Sequence, residues 1–252
     1  MGTFTKRAGK ALAIGAVSGA LLGGLAVSSA QAADPGSAAW YLRAFGGGNF
    51  QLDGDYRGTI TPPGGRQNVD VDFDDGFVVG GAVGVKLPGM NLGALTPRAE
   101  IEVSYRENDV DSVDFTGNGA GAEANPRGDV SSIFLMGNVL FDINAFESDF
   151  FTPYFGGGIG VAFVDNNIRY GPLGPGVNLL DSDEAFAVQA IIGANFKVTE
   201  NISFNIDGRY YNAFDVSSVR LNPAGVNTGS TQTDLDGFSV TGGFSISLGA
   251  FN

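Results

Sequence analysis

Residues 96–107 read TPRAEIEVSYRE. Arg98, Glu100, Glu102, Ser104 and Arg106 take alternate positions, with Ala99, Ile101, Val103 and Tyr105 between them. A period of two belongs to a β-strand, whose successive side chains point to opposite faces. One face of this strand is therefore charged and the other apolar. In a soluble sheet the charged face meets water. In a barrel immersed in lipid the order reverses, and the charges line the interior. The rest of the chain decides between the two.

The N-terminal segment points to export. The first ten residues carry Lys6, Arg7 and Lys10 without an acid, and an apolar run, ALAIGAVSGALLGGLAV, follows over residues 11–27. It is short and small-residue-rich for a transmembrane helix and leads into SSAQA, where Ala30 and Ala32 fit a small-x-small cleavage pattern. Residues 1–32 are expected to be a signal peptide cut between Ala32 and Ala33, leaving a barrel domain over residues 33–252. Removing them leaves 27 acids against 11 bases, a net charge of −16. So acidic a chain does not suit nucleic acid, which needs clustered Lys and Arg.

Eight stretches alternate with period two: 38–47, 76–87, 96–107, 130–142, 152–164, 185–197, 201–213 and 237–251. Their lengths suit tilted strands crossing a bilayer better than soluble strands. The connections run long, short, long, short, long, short, long, as in an up-and-down barrel with long outer loops and short inner turns. The apolar phases carry no charge: Phe77, Val79, Val83 and Val85 in the second stretch; Phe186, Val188, Ile192 and Phe196 in the sixth; Phe238, Val240, Phe244 and Ile246 in the last. The opposite phases are polar and small, with Gly156, Gly158, Gly160 and Ala162 in one, and Ser239, Thr241, Gly243, Ser245 and Ser247 in another. Small residues suit a narrow, crowded interior.

By phase, the interior receives Arg43, Lys86, Arg98, Arg106, Lys197 and Arg209 against Glu100, Glu102, Asp142 and Asp207. Buried charges need such partners. The charged face of residues 96–107 thus points inward, and Ile101, Val103 and Tyr105 face lipid. Trp40, Tyr41, Phe141, Phe146, Phe150, Phe151 and Tyr154 are expected to form an interfacial girdle at the inner rim. The fold expected is all-β, an eight-stranded antiparallel up-and-down transmembrane β-barrel.

With WYLRAFGGG, VDFDDGFVVGGAVGVKL, RAEIEVSYRE, MGNVLFD, TPYFGGGIGVAF and NISFNIDGRYY in this order, the chain resembles the small eight-stranded outer-membrane β-barrels of the OmpA-transmembrane and opacity-porin type. The likeness spans essentially the whole mature sequence. It implies residence in the outer membrane of a Gram-negative cell, among lipid and lipopolysaccharide, insertion by the barrel assembly machinery, and loops that meet an extracellular ligand. One departure stands at the end, LGAFN: such barrels usually finish on an aromatic residue, whereas here Phe251 is penultimate to Asn252. No peptidoglycan-binding domain is expected after the barrel.

The chain has no histidine and no cysteine. This argues against Ser–His and His-assisted hydrolysis, and removes thiolate chemistry and disulfides. Asp70, Asp72 and Asp74 have the spacing of a calcium loop, but the glycine comes one place late and Gly81 stands where the bidentate Glu belongs. Neither a catalytic, a metal nor a cofactor site is expected. Two roles stay open: a structural or surface barrel presenting acidic loops, and a narrow porin-like channel along the Gly/Ser lining.

Overall fold

The computed structural model describes residues 38–60, 65–90, 92–117, 121–122, 127–145, 150–170, 177–221 and 226–250. The leader with Ala32 and Ala33, and also Phe146, Phe251 and Asn252, lie outside them. The strands are β1 (Ala39–Gln51), β2 (Gly54–Ile60), β3 (Gly65–Phe73), β4 (Gly76–Lys86), β5 (Leu95–Gly117), β6 (Gly121–Ala122), β7 (Arg127–Ile143), β8 (Phe151–Tyr170), β9 (Val177–Lys197), β10 (Ile202–Leu221) and β11 (Asn227–Ala250). All pairings are antiparallel. β1, β4, β5, β7, β8, β9, β10 and β11 pair in succession, and β11 pairs back onto β1, closing a ring of eight.

The first segment answers its own question. Ile101 and Val103 are 67% and 51% exposed on the outside, while Arg98, Glu100, Glu102 and Arg106 are buried within the ring. The same inversion holds all round: Ile133, Leu135, Ile159, Phe186, Ile192 and Phe244 are exposed, and Asp207, Arg209, Ser239 and Thr241 are buried. Inside-out patterning is what lipid demands, because an unpaired polar group in hydrocarbon costs several kcal/mol.

The aromatic belts differ from the expected one. Tyr41 and Tyr154 point inward and are buried, since they share the phase of Arg43 and Asn138 rather than that of the wall. Trp40, Phe150 and Phe155 stay outside, joined by Phe196, Phe204 and Phe244, whose rings pack along neighbouring strands. A second, outer belt carries Phe50, Phe77, Phe163, Phe186 and Phe238, with Tyr105 against Phe77 and Tyr210 against Phe238. On β9, Phe196 and Phe186 are separated by roughly 34 Å of strand, or about 26 Å of height after tilting. That matches the apolar band of a transmembrane barrel, about 25 Å tall.

The long outer connections are mostly strand. β5, β8, β9, β10 and β11 run well past the outer belt, and residues 108–117, read as loop from sequence, continue β5. Above Gln51 the first strand carries on into β2, and above Gly76 the second carries on into β3. The Leu52 N–H donates to the Asp236 carbonyl (2.9 Å) and the Asp74 N–H to that of Asp109 (2.9 Å), so the ladder continues across both junctions. β2 pairs with β11 and β3 with β5, and the wall extends outward as a β-crown.

Candidate functional site: the barrel interior and the crown

Three tiers fill the ring. The outermost is apolar: Phe134, Met136, Ala162, Val164, Ala187, Ala213 and Leu235 pack together and reach up to Tyr56, Val71 and Val113 of the crown. Below lies the charge network. The lowest is an open mouth at the short-turn end.

In the middle tier Asp207 is the hub. It pairs with Arg43 and with Arg209, and accepts hydrogen bonds from the Tyr154 hydroxyl (3.0 Å) and the Thr241 hydroxyl (3.0 Å). Arg209 also donates to Glu102 at 2.6 Å, and Glu102 accepts from the Asn138 amide at 3.0 Å. Glu100 accepts from the Tyr41 hydroxyl (2.6 Å) and stands 3.7 Å from Arg98. Asp142 stands 3.0 Å from Arg98 Nε and 2.9 Å from the Lys86 ammonium. Arg106 takes a different solution. Its guanidinium lies between the rings of Phe134 (4.2 Å) and Tyr211 (4.5 Å) and donates to Ser104 (2.9 Å). Cation–π contact in a desolvated site is worth about 2 kcal/mol.

Eight of the ten charges assigned inward by phase are therefore buried in the ring: Arg43, Arg98, Glu100, Glu102, Arg106, Asp142, Asp207 and Arg209. Lys86 is half exposed and Lys197 exposed, because β4 and β9 end at these residues and both reach the open mouth. Tyr41 and Tyr154, expected at the rim, also belong to the network, as do Asn49, Asn138 and Gln189, which were not singled out from sequence. For the three amides the signal was available: each shares its strand's charged phase.

The glycine-lined face is filled. A Cβ on Gly84 would lie 2.3 Å from Tyr41 Cζ, and one on Gly80 would lie 2.5 Å from Phe45 Cζ. Across the barrel, the space beside Gly158 is taken by the Asn138 amide, 2.0 Å from where a Cβ would stand. The small residues make room for large neighbours, and the space beside these three glycines is occupied by side chains.

On the crown, Asp70 of β3 stands opposite Asp55 of β2 and Asp114 of β5, a row of three carboxylates across three strands. Asp70 and Asp72 alternate along an extended strand rather than curling round an ion. Partial burial, a hydrogen bond shared with Asp55, and the charges of Asp55, Asp114 and Asp72 raise the Asp70 pKa above the usual carboxylate value. Like charges directly opposite destabilise a strand pair. A carboxyl whose folded pKa is raised takes up a proton on folding, so its penalty is absent below the unfolded pKa and complete above the folded one. Asp70→Asn should therefore slow amide exchange in β2 and β3 near pH 7 and change little near pH 3; hydrogen-exchange mass spectrometry at both pH values reads it. Equal effects at both would contradict the titration.

Comparison with known proteins agrees with this architecture. A family model described as the outer membrane protein beta-barrel domain matches residues 18–249. The outer membrane protein PagN of Salmonella typhimurium strain LT2 is 32% identical over 152 residues, covering 59% of this chain; the match spans 63% of the length of that relative. Among solved structures, the outer membrane protein OprG from Pseudomonas aeruginosa superposes with a TM-score of 0.56 at 14% identity, covering 86% of this chain and 98% of that one. A closed ring of eight strands, apolar outside and charged within, together with a family match over nearly its whole length, makes this chain a member of the outer membrane protein β-barrel family, resident in the outer membrane.

Proposed function

We propose that the barrel is a non-catalytic anchor that presents a stiff acidic β-crown at the cell surface to cationic partners. The observation that carries this reading is the crown itself, a continuation of the wall with apolar residues turned in and carboxylates turned out. Asp53, Asp55, Asp74, Asp75, Asp111 and Asp114 are exposed there, against exposed Arg57 and Arg127 among the described residues. A single-sign field of this kind steers oppositely charged ligands and repels sulfated or phosphorylated polymers. With the apolar tier filling the ring beneath, the crown is the surface left for recognition on the outer side.

The test is binding of an oligolysine peptide to the barrel in nanodiscs. Affinity should fall with added salt and drop about tenfold when Asp55, Asp72 and Asp114 are changed together to Asn. Equal affinity for a sulfated polysaccharide would sink the proposal. Planar-bilayer recordings address the channel role: no steady conductance is expected, and a reproducible unitary current would restore it.

A further inference from the structure

The mouth at the short-turn end is a cavity of ≈ 260 Å³. Lys86, Arg98 and Lys197 line it, and Glu200 is the carboxylate among its lining residues. Asp142, beside the cavity, offsets part of this charge through Lys86 and Arg98, and Glu100, shared with Arg43, stands 3.7 Å from Arg98; no ion pair reaches Lys197 among the described residues. Lys197 is exposed at the opening. Thr152, Asn195, Ser203, Ser245 and Ser247 add hydroxyl and amide groups.

Two donors in this lining have no acceptor. Arg98 is 3% exposed, and its Nη2 is buried without a hydrogen-bond partner. Asn195 Nδ2 is buried and unpartnered as well. Its orientation follows from a relay: Ser245 Oγ donates to Asn205 Oδ1 (3.1 Å), and Asn205 Nδ2 donates to Asn195 Oδ1 (2.9 Å). The Asn195 oxygen is thereby engaged and its amino group left over. Leaving a buried donor unmatched costs about 1–3 kcal/mol, more where it is charged. A site with surplus positive charge and two orphan donors is complementary to a group that only accepts.

We propose that this mouth binds a small oxyanion, a carboxylate or phosphate group, from the periplasmic side. Such a group would complete the hydrogen bonds of Arg98 and Asn195 and pair with Lys197. The ligand is distinct from the crown's partner in charge and in side of the membrane.

Trp40, the sole tryptophan of the chain, turns its ring to the outer wall, so binding is read by isothermal titration calorimetry. The purified full barrel in detergent micelles is titrated with inorganic phosphate and, separately, with N-acetylglycine. A saturable heat of binding is expected, with affinity weakened about tenfold by Lys197→Ala and by Asn195→Ala, since a charge-assisted hydrogen bond is lost in each. Arg57→Ala, the same charge change on the crown, should leave the titration alone. Response to one titrant alone identifies phosphate or carboxylate as the source; response to both supports a general oxyanion site. Heat-dependent migration shows that each variant is folded. An unchanged titration in folded Lys197→Ala and Asn195→Ala, the same response to sodium chloride, or no saturation with either titrant overturns the proposal.

Discussion

Asp207→Ala should unfold the barrel at markedly lower urea than the parent, by about 3–5 kcal/mol, the cost of breaking a buried ion pair from one side. Asp207 is 1% exposed and receives two guanidiniums and two hydroxyls. Its removal leaves Arg43 with only a distant carboxylate, Glu100 at 4.0 Å, while Arg209 keeps Glu102. The penalty is then mainly the exposed need of Arg43, so Arg43→Met should recover part of the loss when added to Asp207→Ala. That double-mutant cycle separates coupling from simple truncation. The measurement is urea unfolding of barrels refolded into lipid vesicles, followed by heat-dependent migration. A shift within about 1 kcal/mol would mean that the middle tier is hydrated rather than tightly paired.

Ile101→Arg should cost about 2–4 kcal/mol in the same assay, the figure for a cation on the lipid face near the bilayer midplane. Ile101 lies between Val83 of β4 and Gly137 of β7, both on the outer wall. No acid neighbours it there. One residue on, Glu102 is buried with Arg209 as its partner. A charge is thus costly or required according to a single step along β5. Ile101→Leu should be neutral. An arginine variant as stable as the parent would place this wall in water and reverse the orientation of the entire sheet.

The membrane-spanning part was legible in the sequence because lipid enforces period two on both faces. At residues 99–105 every second side chain answers to hydrocarbon, and no tolerance exists for a charge among Ile101, Val103 and Tyr105. The crown was not legible, for a physical reason visible in one strand. Below the outer belt β5 turns Glu102 and Arg106 inward and Ile101 outward; above it Val110 and Val113 turn inward and Asp111 and Asp114 outward. The polarity of the two faces exchanges where the surroundings change from lipid to water. The step from Val110 to Val113 is three residues rather than two, at a register shift opposite Asp72 and Phe73. An alternation that reverses and slips resembles an irregular acidic loop. Among the site residues, phase located the charges, but Tyr41 and Tyr154 were mistaken for wall residues. An aromatic ring near a strand end fits either face until the glycine that receives it is known, as Gly84 receives Tyr41.

The extension of β9 from Phe186 up to Val177 adds roughly 30 Å of strand, or about 23 Å of height above the outer belt. Hydrogen-bonded wall, unlike loose chain, cannot fold back onto the headgroups. The outer ends of these strands are therefore held at a fixed standoff from the lipid surface. Whatever meets them need not approach the lipid headgroups. Shortening two facing strands in register would lower this platform while leaving its chemistry unchanged, so the distance at which a partner engages is set by strand length.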